Sequence, residues 1–194
     1  VYRYDGFIWT AFNLPYPEET SDDFISKATT WSIIEDRKRN IWFSTNGFGA
    51  YKYDGDTFTQ YSTKDGLTDD DVDCIIEDSQ QHIWFGTRFG GVSKFDGKTF
   101  TNYTSNDSIK NDEVCVIYED KEGNIWMSSE GYGVYRYDGK SFTNFSQAEG
   151  LFVKAVQDIF QDKSGHLWVG GGGGLFRLEN DKFINVTTDG PWPY

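Results

Sequence analysis

Short runs of alternating apolar and polar residues follow one another along the chain, and turn-forming residues separate them. Four such runs lie between positions 114 and 145: Val114–Glu119, Ile125–Ser128, Val134–Tyr137 and Ser141–Phe145. Gly123, Asn124 and Gly139 lie in the gaps, where tight turns need residues that tolerate positive φ. The runs lack the 3.6-residue period of a helix. The pattern predicts four short antiparallel strands joined by hairpins.

The same pattern returns every 42 residues. An aliphatic residue followed by tryptophan recurs at this step, and an Asp-Gly pair recurs at 54, 96 and 138. The tryptophans of the repeat are Trp42, Trp84, Trp126 and Trp168. A repeat of about 40–45 residues that holds four strands is the blade of a β-propeller. We therefore predict an all-β fold, a β-propeller of four-stranded antiparallel blades.

The repeat tryptophans have a predicted structural role. A single four-stranded sheet cannot bury both of its faces, so blades must stack against one another. Because each tryptophan falls in the second strand of its blade, we expect all four to lie in the layers between blades. The alternative is that they form a stacking site for a ligand.

The repeat divides the chain into about four and a half blades of one domain. Positions 1–12 match the third and fourth strands of a blade, and the complete blades are predicted at approximately 28–61, 72–103, 113–145 and 155–186. The tail Thr187–Tyr194 is too short and too rich in proline to complete the half blade. Either the chain is a fragment of a longer propeller, or a partner chain supplies the strands. An open edge is a hazard that proteins avoid, which favours the fragment.

Composition narrows the class of protein. Aromatic residues make up 18% of the 194 residues, which argues against disorder, and the formal net charge is −13. Such an acidic surface repels nucleic acids and anionic membranes. No apolar run approaches the roughly 20 residues of a membrane helix, so we predict no membrane insertion. Cys74 and Cys115 are interpreted as buried small hydrophobic residues.

Several repeat residues match a known family. The segments Asp65-Gly66-Leu67, Ile75-Ile76-Glu77-Asp78, Ile83-Trp84-Phe85-Gly86-Thr87 and Phe95-Asp96-Gly97 resemble the two-component regulator propeller repeat. The resemblance covers nearly the whole chain. It implies the sensor region of a bacterial hybrid two-component system, placed in the periplasm or outside the cell, and many such sensors respond to oligosaccharides. The leading expectation is a non-enzymatic ligand-binding module whose signalling output either lies elsewhere in a longer protein or is absent.

The loops between second and third strands are the first candidate site. They share a face with the loops between blades, and binding residues collect on loops held by a rigid scaffold. In these loops the sequence departs from its own repeat. The candidate ligand-binding residues are Phe48, Phe89 and Tyr132 for stacking and Arg88 and Glu130 for hydrogen bonding, and Trp31 is a further candidate outside these loops. The alternative is that the aromatic side chains only cover the tops of the blades.

Two further features are candidates for function. The connection from Phe12 to Glu35 is 7 residues longer than its counterpart from Tyr61 to Glu77, and long loops are often functional. Clustered carboxylates would suit Ca²⁺, although their order matches no EF-hand loop, and a solvated turn is the alternative. These carboxylates are Asp69, Asp70, Asp71, Asp73, Asp107, Asp112 and Glu113. No other cofactor is expected.

Catalysis finds little support in the sequence. His82 and His166 occupy the turn position that Asn40 and Asn124 hold in the other repeats, so we interpret both as hairpin residues. The chain lacks the metalloprotease, nucleophile-elbow and phosphate-loop motifs. A protein-interaction or assembly scaffold, forming oligomers through the open half blade, is the second hypothesis. A lyase or hydrolase is the third.

Overall fold

The computed structural model describes residues 1–16, 29–105 and 109–187. Within these ranges the chain forms one two-stranded sheet and four four-stranded sheets, and every paired strand is antiparallel. The prediction of an all-β fold with four-stranded antiparallel blades is confirmed. The described residues form no helix long and apolar enough to cross a membrane.

The strands follow the chain in simple up-and-down order. The half blade contains β1 (Tyr2–Tyr4) and β2 (Trp9–Ala11). The blades that follow consist of β3 (Thr30–Glu35), β4 (Ile41–Thr45), β5 (Ala50–Tyr53) and β6 (Phe58–Tyr61); β7 (Val72–Glu77), β8 (Ile83–Thr87), β9 (Val92–Phe95) and β10 (Phe100–Tyr103); β11 (Ile117–Glu119), β12 (Ile125–Ser129), β13 (Gly133–Tyr137) and β14 (Phe142–Phe145); and β15 (Val156–Gln161), β16 (Leu167–Gly171), β17 (Gly174–Glu179) and β18 (Lys182–Asn185). Single 3₁₀ turns at Thr63–Asp65 and Gln147–Glu149 lie between blades.

Each first hairpin closes on a carboxylate. In the second blade, Oδ1 of Asp78 accepts the backbone N–H groups of Gln80 and His82 at 2.9 and 2.8 Å. Its Oδ2 accepts the indole N–H of Trp84 at 2.8 Å. The same indole bond recurs from Trp42 to Asp36 at 2.9 Å, from Trp126 to Asp120 at 2.7 Å and from Trp168 to Asp162 at 2.9 Å. We call this arrangement the Asp–Trp clamp.

The clamped tryptophans pack between blades. Trp42, Trp84 and Trp126 are 1–2% exposed, and each belongs to a hydrophobic cluster that includes strand residues of the following blade. Trp42, for example, lies 5.7 Å from the ring of Phe85 and 5.3 Å from that of Tyr61. Burial of three indoles in this way supplies a large part of the apolar area that holds the blades together.

Polar contacts reinforce the same interfaces at the outer turns. In three of the four clamps, the backbone N–H that follows the aspartate donates to a side-chain oxygen of the next blade. These bonds run from Arg37 to Glu77 at 2.9 Å, from Ser79 to Glu119 at 2.7 Å and from Lys121 to Gln161 at 2.8 Å. A side chain of one blade therefore satisfies a backbone donor in the turn of the blade before it.

The first strands are the innermost elements. β3 contacts β7, β7 contacts β11, and β11 contacts β15, so neighbouring blades meet along these strands. β11 is shorter than the predicted run from Val114, because it begins at Ile117. The hydroxyl of Ser128 accepts the N–H groups of Cys115 and Val116 at 3.0 and 3.1 Å, and these bonds replace part of the strand ladder.

Glycine is required where the second loop of a blade approaches its fourth strand. Gly49, Gly91 and Gly133 have φ between 71° and 83°. A Cβ atom on any of them would lie 2.1–2.3 Å from a backbone carbonyl oxygen. Only a residue without a side chain fits this loop.

The clamp carboxylate yields a stability prediction. Changing Asp78 to Asn replaces one charged acceptor with an amide whose NH₂ group opposes either the indole or the backbone donors. We expect the free energy of unfolding, measured in urea, to fall by roughly 2–3 kcal/mol. Asp56→Asn, the same chemical change at an exposed turn residue, is the control and should leave stability unchanged. Equal effects of the two changes would show that the clamp is energetically unimportant.

The clamp also predicts acid sensitivity. Burial acts to raise the pKa of Asp78, but the hydrogen bonds from Trp84 and His82 outweigh it and lower that pKa. The indole bond from Trp168 is the main reason that the pKa of Asp162 falls to about 2. A carboxyl whose pKa is lower folded than unfolded stabilises the fold above the unfolded value of about 3.9.

That contribution is lost as the pH falls through the lowered pKa. We therefore expect the thermal midpoint to decline as the pH is taken from about 4 towards 2. The decline should be smaller in Asp78→Asn, because the amide does not titrate. Parallel declines in the two proteins would locate the acid sensitivity elsewhere.

Candidate functional site

One repeat position on the innermost strands changes its residue type in every blade. It is occupied by Trp31, Asp73, Cys115 and Gln157, each 42 residues after the one before. Trp31, Cys115 and Gln157 are exposed, whereas the side chain of Asp73 is only 8% exposed. Because the first strands of adjoining blades contact each other, these side chains form a row along the inner wall of the blade array.

Arg88 ties two members of this row together. Its Nη2 donates to Oδ1 of Asp73 at 2.9 Å and its Nε donates to Oδ2 at 3.3 Å, in the paired geometry that suits guanidinium and carboxylate. Its guanidinium carbon also lies 5.6 Å from the ring centre of Trp31 in the preceding blade. The hydrogen bond to Asp73 raises the pKa of Arg88, so the cation is fixed. We call Trp31, Asp73, Arg88 and Cys115 the inner-wall cluster.

Cys115 corrects an expectation. The sequence predicts a buried thiol, but the residue is exposed, and its Sγ lies 3.5 Å from Oδ2 of Asp73. Partial desolvation of the sulfur and the neighbouring carboxylate of Asp73 raise the thiol pKa to about 12. The Sγ of Cys74 lies 3.8 Å from the carbonyl oxygen of Val114 in the next blade. Neither cysteine is in a disulfide.

The structure separates the loop aromatic side chains into two groups. Phe89 is 66% exposed beside Arg88, so its ring is open to solvent. Phe48 occupies the matching loop of the first complete blade but is only 8% exposed. Its ring packs 5.2 Å from Tyr16, in a cluster that also contains Leu14. The prediction that Phe48 offers a stacking surface is therefore wrong, because the segment ahead of that blade covers it.

Tyr132 and Glu130 lie on the next blade. The Tyr132 ring is 42% exposed, and the ammonium of Lys110 stands 5.7 Å from its centre. The backbone of Glu130 donates to the carbonyl of Glu113 at 3.3 Å, which anchors this loop to the chain entering the blade. Tyr132 and Glu130 thus provide a second site with aromatic and polar side chains, and neither residue belongs to the inner-wall cluster.

The clustered carboxylates have local structural partners. Asp70 accepts the backbone N–H of Thr63 at 2.7 Å, and Asp112 accepts that of Ser105 at 2.6 Å. Both positions brace the connection between blades. Among the described residues, no group of three or more acidic, His or Cys side chains is arranged to hold a metal ion. Asp107 lies outside the described residues, as does most of the long connection after Phe12.

Both histidines belong to Asp–Trp clamps. Nδ1 of His82 lies 2.9 Å from Oδ2 of Asp78, and Nδ1 of His166 lies 3.3 Å from Oδ2 of Asp162. Asn40 and Asn124 donate from the same place in their blades. The imidazole rings therefore replace an amide in a structural turn, away from the inner-wall cluster.

The repeat matches a known sequence profile. The profile described as two component regulator propeller matches residues 66–89, 108–131 and 150–173. These three segments of the chain are therefore similar to the two-component regulator propeller repeat. Each matched segment contains one complete Asp–Trp clamp, so the sequence profile and the structural repeat coincide. No curated protein matches the chain.

Solved structures share the propeller architecture. The extracellular domain of the putative hybrid two component system BT3049 from B. thetaiotaomicron superposes with a TM-score of 0.72 at 22% identity, over 84% of this chain and 24% of that one. The extracellular domain of the putative hybrid two component system BT4673 from B. thetaiotaomicron superposes with a TM-score of 0.71 at 21% identity, over 84% of this chain and 25% of that one. Virginiamycin B lyase from Staphylococcus aureus superposes with a TM-score of 0.68 at 16% identity, over 96% of this chain and 61% of that one. The chain thus spans about a quarter of the length of the two sensor domains, and identities this low show the fold alone.

Sequence reasoning found part of the inner-wall cluster. The sequence predicts Arg88 and Trp31 as binding residues, but it places Asp73 among possible calcium ligands and predicts that Cys115 is buried. The signal that locates them is the shared repeat position of Trp31, Asp73 and Cys115, read across blades instead of along one loop. Only the structure shows that this position faces the inner wall.

The raised thiol pKa makes a prediction about reactivity. We expect iodoacetamide at pH 8 to alkylate Cys115 at least about tenfold more slowly than a free cysteine of pKa about 8.5, because thiolate is the reactive form. Asp73→Asn removes the adjacent charge and should speed the reaction severalfold. Mass spectrometry of the peptide that contains Cys115 follows the rate, and Cys115→Ser controls for Cys74. A rate equal to that of free cysteine would mean that the carboxylate does not act on the thiol.

Proposed function

We propose that this propeller is a non-enzymatic, extracytoplasmic ligand-binding module of the sensor type, and that oligosaccharides are its ligand class. The observation that carries the proposal is the inner-wall cluster, in which an exposed indole lies beside a fixed guanidinium and a carboxylate. Flat apolar faces and clustered hydroxyl groups are the two features of a sugar ring. Trp31 and Phe89 offer surfaces for the first, and Arg88 with Asp73 offers donors and acceptors for the second.

The charge balance favours a neutral ligand. The charge of Arg88 is compensated by Asp73, and the formal net charge of the chain is −13. Asp69, Asp70 and Asp71 also lie in the same repeat as Arg88 and add negative charge to this part of the surface. A phosphorylated or carboxylated ligand would be repelled, whereas a neutral polyhydroxyl compound would not.

The match to the repeat profile supports a function as a sensor domain. The repeats are those of two-component regulators, and two of the similar solved structures are extracellular domains of putative hybrid two component systems. A similar fold also serves a lyase, so the fold alone does not choose the function. The positions of both histidines in structural turns favour binding over catalysis.

A panel of neutral oligosaccharides tests the proposal through thermal unfolding. A ligand that binds only the folded chain adds about 2.7 kcal/mol of stability at a hundred times its dissociation constant. We expect a saturable rise in the midpoint for at least one neutral sugar and none for its sulfated or uronic counterpart. Trp31→Ala and Phe89→Ala should each weaken binding by about tenfold or more, as expected for loss of an apolar stacking surface.

Phe7→Ala is the matched control, because Phe7 is 91% exposed on the half blade and outside the inner-wall cluster. It should leave the dissociation constant unchanged. A panel that produces no shift with a folded chain would count against the proposal. A shift that persists in Trp31→Ala would move the site to another surface.

A further inference from the structure

Exposed aromatic side chains collect on one face of the blade array. This face, which we call the loop face, is formed by the loops between second and third strands and by the connections between blades. Outside the half blade and the outer surfaces of the first and last complete sheets, every large hydrophobic side chain that is exposed in the described blades lies on the loop face. These side chains are Trp31, Phe89, Tyr132 and Phe152, with exposures of 54%, 66%, 42% and 62%.

The opposite face offers a comparison within the same molecule. It is formed by the clamp turns and by the turns between third and fourth strands. In the four complete blades these turns contain only glycine and polar or charged residues, at 36–40, 78–82, 120–124 and 162–166 and at 54–57, 96–99, 138–141 and 180–181. Because one repeat builds both faces, the aromatic row on the loop face is not a consequence of the fold itself.

The repeat does not account for two of these rings. Phe89 stands where the neighbouring blades have Gly47 and Gly131. Phe152 stands where the two preceding connections have Thr68 and Lys110. Aromatic residues that the blade needs for packing recur every 42 residues, so Phe89 and Phe152 are not required by the blade.

A line of contacts joins the inner-wall cluster to the third complete blade. The cluster ends at Cys115, whose Sγ lies 4.0 Å from Oε1 of Glu113. The backbone carbonyl of Glu113 accepts the N–H of Glu130 at 3.3 Å. Glu130 begins the loop that carries Tyr132. Neighbouring residues therefore connect the exposed indole of Trp31 to the exposed ring of Tyr132.

The surface at Tyr132 has the same chemistry as the surface at Trp31. The Trp31 ring has the guanidinium of Arg88 at 5.6 Å from its centre, with a carboxylate bound to that guanidinium. The Tyr132 ring has the ammonium of Lys110 at 5.7 Å from its centre, and Glu130 supplies a carboxylate in the same loop. Each place combines an apolar ring with a hydrogen-bond donor and an acceptor, which is the combination that suits a sugar ring.

Phe152 continues the aromatic row to the fourth complete blade. It lies in the connection that enters this blade, beside a loop within the glycine run 170–174. A Cβ atom on Gly173 would lie 2.5 Å from the carbonyl oxygen of Phe152, so this loop packs against the backbone of the connection. The loop has no side chain that could cover the Phe152 ring.

The spacing of the blades sets the length of a ligand that follows this row. Packed sheets lie about 10 Å apart and approach each other at their inner strands, so Trp31 in the first complete blade and Tyr132 in the third are separated by roughly 10–20 Å. A single sugar ring cannot contact both side chains. A chain of several sugar units can.

We propose that the ligand is a linear, neutral oligosaccharide that lies along the loop face and stacks on two subsites at once, one at Trp31 with Arg88 and the other at Tyr132 with Lys110. The inference rests on the proposed function and adds to it the length of the ligand and its course across the blades. Phe152 extends this course for longer chains. Two linked contacts bind more tightly than either alone, because the second forms within the complex.

Sugars of increasing chain length test the two subsites. The probes are unbranched gluco-, xylo- and manno-oligosaccharides from the dimer to the hexamer, and titration calorimetry with the full chain gives the dissociation constant of each. In at least one series we expect the hexamer to bind about tenfold or more tightly than the dimer, at one hexamer per chain, because only the longer sugar reaches both subsites.

Variants of the chain locate the length dependence. Trp31→Ala and Tyr132→Ala each remove one subsite, so each should make the dissociation constants of dimer and hexamer nearly equal. Tyr132→Phe keeps the ring and should keep the difference. Phe160→Ala is the matched control, because Phe160 is as exposed as Trp31, at 54%, but lies on the outer surface of the last sheet. Circular dichroism confirms that each variant is folded.

The outcomes separate this inference from the proposed function. Equal affinity of the unchanged chain for dimer and hexamer would overturn the inference alone, since sugars would still bind. A length dependence that survives Tyr132→Ala would do the same. Absence of binding at every length by a folded chain would count against the proposed function and the inference together.

Discussion

In each complete blade, an aspartate carboxylate accepts the indole N–H of a tryptophan, which joins the first hairpin to the second strand and positions the indole at the interface between blades. Asp36, Asp78 and Asp120 are 4–8% exposed, yet each accepts several hydrogen bonds, so the cost of burying the charge is offset by donors fixed in the turn. The same bond sets the orientation of the tryptophan that the following blade covers. Local turn geometry and packing between blades therefore depend on one group.

The repeated residues take part in this contact and in the apolar layers. Differences in side-chain chemistry between blades are therefore found at positions outside the repeat pattern. The inner-wall row is such a position, since Trp31, Asp73, Cys115 and Gln157 share backbone geometry but no chemistry. Arg88 reaches it from a loop and converts neighbouring side chains into one connected cluster. A rigid scaffold with variable inner residues is a suitable arrangement for recognising small polar ligands.

The two ends of the array differ from its interior for the same reason. At one end, Trp168 keeps its bond to Asp162 but is only partly buried, because it has no following blade among the described residues. At the other end, Phe43 and Tyr53 surround a cavity that corresponds to the place of a tryptophan. Ile33 is 50% exposed and Ile75 only 2%, because the described sheet ahead of Ile33 has two strands whereas the sheet ahead of Ile75 has four.

The 42-residue pattern is sufficient to predict the blade, because the strands, the turns and the Asp–Trp pairs depend on local interactions within one repeat. The exposure and contacts of the non-repeated residues depend instead on how the blades pack together. Phe48 and Phe89 occupy matching loops, but one is buried by the segment ahead of its blade and the other is exposed. Cys115 and Asp73 are distant in the chain and meet only because first strands of adjoining blades touch. Exposure and proximity between blades arise from stacking, and that information is absent from the pattern of any single repeat.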